Sequence, residues 1–120
     1  MRSAGKNLDT ASRLLAVALA KPRTSVAWLC PTAAVARNRL REMAERLRDN
    51  EVGFGVLAHM FRIRLRNGSA IDFLPVGDRR QADRLRGLDL DAVAASPWEV
   101  GSQVVRDTRF LLINRGGELI

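Results

Sequence analysis

Two short stretches hold residue types that could handle a nucleotide. Ahead of the first apolar periodic segment runs Arg2-Ser3-Ala4-Gly5-Lys6-Asn7, and a Gly-Lys pair at a helix start offers backbone amides and an ammonium group to a phosphate. A full phosphate loop also needs a preceding strand, more glycine and a hydroxyl residue for magnesium. Asn7 stands where that hydroxyl would be. Much later, Asp91 opens an apolar run that Ser96-Pro97 closes. Magnesium-dependent hydrolysis of a nucleotide takes side chains that can hold the metal and position or deprotonate the attacking water. Ser96 and Pro97 can do neither, and Glu99 is the nearest carboxylate. The sequence therefore nominates no catalytic residue and no metal ligand.

What it nominates instead is positive charge. Twenty Lys and Arg against thirteen Asp and Glu give a net +7, a balance suited to phosphate backbones, anionic surfaces or acidic proteins. Most of that charge is Arg, which forks onto phosphates and carboxylates where Lys acts as a point charge. Arg62, Arg64 and Arg66 alternate along one strand face, and Arg79, Arg80, Arg84 and Arg86 follow closely, seven arginines within positions 62–86. Aromatic residues that could stack on bases are nearly absent there, so nucleic-acid binding by this stretch would be tolerant of sequence and sensitive to salt. The plainer alternative is a solvated face bridged to Asp72, Asp78 and Asp83.

Cys30 is the only cysteine and His59 the only histidine, so no intrachain disulfide, zinc cluster or repeated Cys/His pair can form. A reducing compartment is the simplest setting. Cys30 lies in the apolar run Val26-Ala27-Trp28-Leu29-Cys30 and reads as a buried, inert thiol. Trp28 in the same run reads as core, and Trp98 as a cover for the carboxyl edge of the sheet. No apolar run approaches the ~18 residues of a membrane span.

The elements that must position these residues follow from periodicity. A length of 120 residues points to one domain over 1–120. Leu8, Ala11, Leu15, Ala18 and Leu19 recur at helical spacing until Lys21-Pro22. Residues 24–30 read as a strand buried on both faces. Thr32 is a natural N-cap for a helix with Ala36, Leu40, Met43, Ala44 and Leu47 inside and Arg37, Arg39, Arg41, Arg46 and Arg48 over much of the rest. After a weakly patterned stretch through Gly53 and Gly55, Phe61, Ile63 and Leu65 alternate with arginines, and Asn67-Gly68 signals a hairpin whose favoured turn needs positive φ at both central residues. Ile71 and Phe73 continue its buried face. Residues 77–86 read as a turn with a short helix, 90–95 as a strand, 97–107 as a helix, 109–114 as a further strand, and the rest as a short tail. That alternation predicts an α/β layer fold with a mainly parallel sheet plus a β-hairpin, with an α+β arrangement as the competitor.

The order Arg-x-x-Gly-Lys, helix, buried strand ending in Pro31-Thr32, hairpin with Asn67-Gly68-Ser69-x-Ile71, then Arg86-Gly87-x-x-x-Asp91 resembles the ATPase domain of phage terminase large subunits. Related helicase-type P-loop cores share the plan. The resemblance implies a P-loop-ATPase-like core in which Arg2, Gly5 and Lys6 match the phosphate loop and Asp91 matches the acid opening the second nucleotide motif. The family closes that motif with Asp-Glu, where this chain has Ser96-Pro97. It also implies a first strand that has no counterpart here, which would lie outside the 109–114 strand and whose loss would leave an edge open to pairing with another chain. These matches imply a vestigial nucleotide site: no cofactor is expected, with ATP and magnesium only if that site still binds. The function expected is that of a catalytically inactive terminase-like domain of phage or prophage origin, a binding or assembly protein in the host cytoplasm or associated with the virion. Its expected partners are DNA or an acidic phage or host protein, or a further chain at the sheet edge, and no membrane. A structural component of a virion or packaging machine, and an ATPase completed by a partner chain, are the alternatives.

Overall fold

A computed structural model describes residues 2–77 and 89–120, with side chains for 8–77, 89–112 and 116–120. Helix α1 (Arg2–Ala20) leads through a four-residue connection into β1 (Ser25–Cys30), followed by α2 (Ala33–Asp49), β2 (Phe54–Leu57), a 3₁₀ turn (Ala58–Met60), β3 (Arg62–Leu65) and β4 (Ala70–Pro75). Then come β5 (Ala92–Ala94), a single helical turn (Pro97–Val100), α3 (Ser102–Arg115) and β6 (Glu118–Leu119). The strands form one six-stranded sheet in the order β2-β3-β4-β1-β5-β6. β4, β1, β5 and β6 run parallel, and β2 and β3 add an antiparallel ribbon on the β4 side. This is the α/β architecture with a mostly parallel sheet that the alternation predicts.

Strand β1 lies in the middle of the sheet, which is why it is apolar without alternation. Val26, Trp28 and Cys30 face α1 and α2, in a core with Leu14, Ala18, Leu40, Leu47, Ile63, Ile71 and Phe73. Ala27 and Leu29 face the other way, towards Val93, Leu90 and Leu112. The sheet is thus layered between α1 and α2 on one face and α3 on the other.

Four expectations need correction. Residues 109–114 belong to α3 rather than to a strand: Val105, Thr108 and Leu112 are buried three and four residues apart, while Arg106, Asp107, Arg109 and Phe110 are exposed. An apolar run such as Phe110-Leu111-Leu112-Ile113 satisfies either period, and here the helical face has a core to cover. The 97–107 helix is really two pieces, broken at Gly101, whose φ of 94° a side chain would resist. Beyond α3, Gly116 at φ 74° turns the chain, and the tail adds the outermost parallel strand β6. The weakly patterned stretch through Gly53 and Gly55 is strand β2.

The hairpin forms, with a different turn. Only Gly68 takes positive φ, at 87°, and Asn67 does not. Gly68 N–H donates to Leu65 O and Leu65 N–H to Ser69 O, the three-residue loop with one left-handed glycine. This frees the Asn67 side chain for another task at the amino edge of the sheet.

Candidate functional site

In an open parallel sheet the crevice beyond the carboxyl ends of the strands is where ligands bind. Here that edge is formed by Cys30-Pro31 after β1, Val76-Gly77 after β4 and Ala95-Ser96 after β5. Val76 N–H donates to Cys30 O, and the backbone at Gly77 crosses Pro31 so closely that a Cβ there would lie 2.1 Å from the Pro31 carbonyl oxygen. Thr32 caps α2 beside it, its hydroxyl accepting the Val35 N–H at 3.2 Å.

A charged pair fills the space between β1 and the turn after β5. Arg39 projects inward from α2 and is only 5% exposed, which corrects its placement on the outer face of that helix. Its guanidinium lies 4.3 Å from the centre of the Trp28 ring, donates to Glu99 Oε2, and reaches Cys30 Sγ at 3.6 Å. Trp28 is core as expected and also contacts Phe73, with ring centres 6.2 Å apart. The planar guanidinium can stack on an indole and hold a carboxylate at once, which a lysine could not. Burial pushes the Cys30 thiol from 9.0 up to about 11, against the opposing pull of Arg39. The thiol is therefore buried and protonated, as its apolar run suggests.

The nucleotide-type residues lie in different parts of the fold. Asp91 lies at the opposite, amino end of β5, where Oδ2 accepts the Ser25 N–H at 2.8 Å and the Asp91 N–H donates to Ser25 O at 2.7 Å. It fastens the start of β5 to the start of β1. Arg2, Gly5 and Lys6 fall within the first turns of α1, an unbroken helix from Arg2. Ser96 does sit at the carboxyl edge; its buried hydroxyl has no hydrogen-bond partner among the described residues. Trp98 is 75% exposed, so it does not cover the sheet edge. Among the described residues no three His, Cys, Asp or Glu side chains gather as a metal ion would require.

The arginines divide by environment. Arg62 donates to both oxygens of Asp72, at 2.6 and 3.1 Å, across a direct β3–β4 pair, and those hydrogen bonds raise the guanidinium pKa. Arg64 and Arg66 are exposed, and Arg66 lies over Gly53, where a Cβ would meet its Nε at 2.9 Å. Arg79, Arg80, Arg84 and Arg86, with Asp78 and Asp83, lie outside the described residues.

Sequence reasoning did not anticipate the cluster at the amino edge. Asn67 Nδ2 donates to Ala18 O at 2.9 Å, and its Oδ1 accepts the Ser69 N–H. The Ser69 hydroxyl, fully buried, accepts the Thr24 N–H at 3.0 Å and donates to Lys21 O at 3.1 Å. The hairpin tip is thereby tied to the α1–β1 connection. Asn-Gly-Ser was visible as a turn, but nothing in its spacing announced a partner some 45 residues away.

A layered sheet of this order, with helices on both faces and a ribbon beside the parallel strands, defines the class; the comparisons narrow it. The fold is that of phage large-terminase ATPase domains. The large terminase ATPase domain of Thermus phage P74-26 matches with a TM-score of 0.76 at 18% identity, over 99% of this chain and 55% of that one. A mutant of the same domain gives 0.73 at 20% identity. A large terminase from a thermophilic bacteriophage gives 0.72 at 10% identity, over 91% of this chain and 28% of the other. The chain thus spans about half the length of the first of these, 55%. No protein-family profile and no curated protein matches the sequence.

Proposed function

We propose that this chain is a terminase-related protein of phage or prophage origin that keeps the ATPase-domain scaffold and acts by contact, binding DNA without sequence preference through its arginines. One observation carries the reading. At the end of β5, where the resembling family places two acids, the chain has Ser96-Pro97, and the nearest carboxylate, Glu99, is committed to Arg39. A carboxylate held by a guanidinium is a poor ligand for magnesium and a poor base for water. The net charge of +7 supplies the attraction to a polyanion.

Two measurements on the purified chain test this. Turnover of magnesium-ATP is expected to match a no-protein blank, and duplex DNA is expected to bind with affinity that falls linearly on a log–log plot against salt. Magnesium-dependent turnover abolished by Lys6→Ala would overturn the inactive reading. Absence of DNA binding at about 50 mM salt would remove the DNA reading and leave the arginines to an acidic protein.

A further inference from the structure

The hairpin arginines drew attention in the sequence because of their density, yet a second set has the more ordered geometry. Arg37, Arg41 and Arg48 are all exposed on α2. At 100° per residue they fall within about 40° of one another around the helix, in a row roughly 16 Å long. This row borders the β2–β3 ribbon. Arg37 extends over the Phe61 ring, 6.0 Å from its centre, and Arg48 over the Phe54 ring at 5.8 Å. Both rings are packed against the core, so each presents one face to a guanidinium. Between them Arg41 is held by Asn38, whose Oδ1 accepts from Nη2 at 2.8 Å.

None of the three forms an ion pair with a carboxylate among the described residues. The acids of the helix, Glu42, Glu45 and Asp49, lie roughly 40–140° further round than the members of this row, so its solvent side is split into a basic border and an acidic flank. The remaining α2 arginines are used internally: Arg39 against Trp28 and Glu99, and Arg46 donating to Ser12 Oγ at 3.0 Å. Arg62 of the hairpin likewise has its charge met by Asp72.

We propose that Arg37, Arg41 and Arg48 form a track for the phosphodiester backbone of DNA, with Phe54 and Phe61 as platforms that hold the outer two guanidinium groups in place. The proposal deepens the contact reading given above and rests on it. A row of about 16 Å faces roughly five phosphates of one strand, at about 3.4 Å per phosphate along the axis. Stacking on a ring removes part of the rotamer freedom each arginine would lose on binding. Since both rings are occupied by guanidinium and core, bases have nothing to stack on, and the track reads backbone alone.

Anisotropy of a labelled mixed-sequence duplex, titrated from about 50 to 200 mM salt, tests it. The triple variant Arg37→Gln, Arg41→Gln and Arg48→Gln is expected to bind at least tenfold more weakly and to lose about 2–3 units of salt slope, near 0.9 per phosphate contact. The corresponding lysine triple keeps charge and is expected to keep the slope. Arg106→Gln with Arg109→Gln, exposed on α3, is the control for loss of charge alone and should stay near wild type. If the glutamine triple binds normally while Arg64→Gln with Arg66→Gln does not, the track is wrong and the contact reading survives. A lysine triple that loses slope as fully as the glutamine triple also overturns it, because charge would not be the cause. Failure of the wild type to bind DNA, with capture of poly-glutamate through the same arginines, overturns both.

Discussion

The two ends of the parallel strands are closed by different chemistry. At the amino edge, Asn67, Ser69 and Asp91 tie the hairpin, the α1–β1 connection and the start of β5 together, each through a backbone N–H or carbonyl. At the carboxyl edge, the space is occupied by the Arg39 and Glu99 side chains over Trp28. Backbone-directed bonds make a permanent seam, because neither partner has another use. The ion pair at the carboxyl edge joins two side chains from different elements, so each depends on the other for its counter-charge.

The sharpest way to break that comparison is to remove one half of the pair. Glu99→Gln leaves a guanidinium that is 5% exposed without its counter-charge. Loss of one partner from a fully buried pair costs about 3–5 kcal/mol. Because the Glu99 side chain is 26% exposed, water offsets part of this, and about 2–3 kcal/mol is expected by urea denaturation. Replacing both, as Arg39→Met with Glu99→Leu, should recover most of the loss. A Glu99→Gln variant as stable as wild type would mean that the pair is incidental.

Next in size is the amino-edge seam. Ser69→Ala removes a hydroxyl that serves two backbone groups, Thr24 N–H and Lys21 O, at a fully buried position. Leaving such groups unpaired costs about 1–3 kcal/mol, and with water able to reach the hairpin tip the lower half of that range is expected. The loss should appear as earlier amide exchange at Thr24, without change at Cys30. Equal protection at Thr24 would show that the seam is not what holds the tip.

How far these edges were legible in the sequence depended on whether a local signal existed. Periodicity exposed α1, α2, β1 and the hairpin, and Thr32 announced its helix, because each bears its pattern over several residues. The edge strand β2, with Gly53 just before it and Gly55 within it, and the two-residue β6 were too short or too mixed for any period to register. The run before Gly116 fitted strand and helix equally until the core chose between them. Arg39 looked like one of five surface arginines, and only its neighbours on other elements, Trp28 and Glu99, distinguish it. The Ser96-Pro97 departure was plain in the sequence; the ion pair beside it was not, since its members are 60 residues apart.

The smallest effect sits beneath the carboxyl-edge pair, at Cys30. Burial holds its thiol near 11 rather than 9.0, so at pH 8 the thiolate, the reactive form, is about a hundredfold scarcer than in the unfolded chain. A disulfide reagent is expected to label the native protein far more slowly than the urea-unfolded one, with the difference narrowing as pH rises. The linkage has a definite sign. A group whose folded pKa is raised stabilises the fold in its protonated form, so this contribution is complete below pH 9 and is lost as pH climbs through about 11. Unfolding midpoints measured across that window should fall for wild type and fall less for Cys30→Ala. Rapid labelling at pH 8 in the absence of urea would show instead that the Arg39–Glu99 pair fails to close the edge, and that the crevice is open enough for a ligand after all.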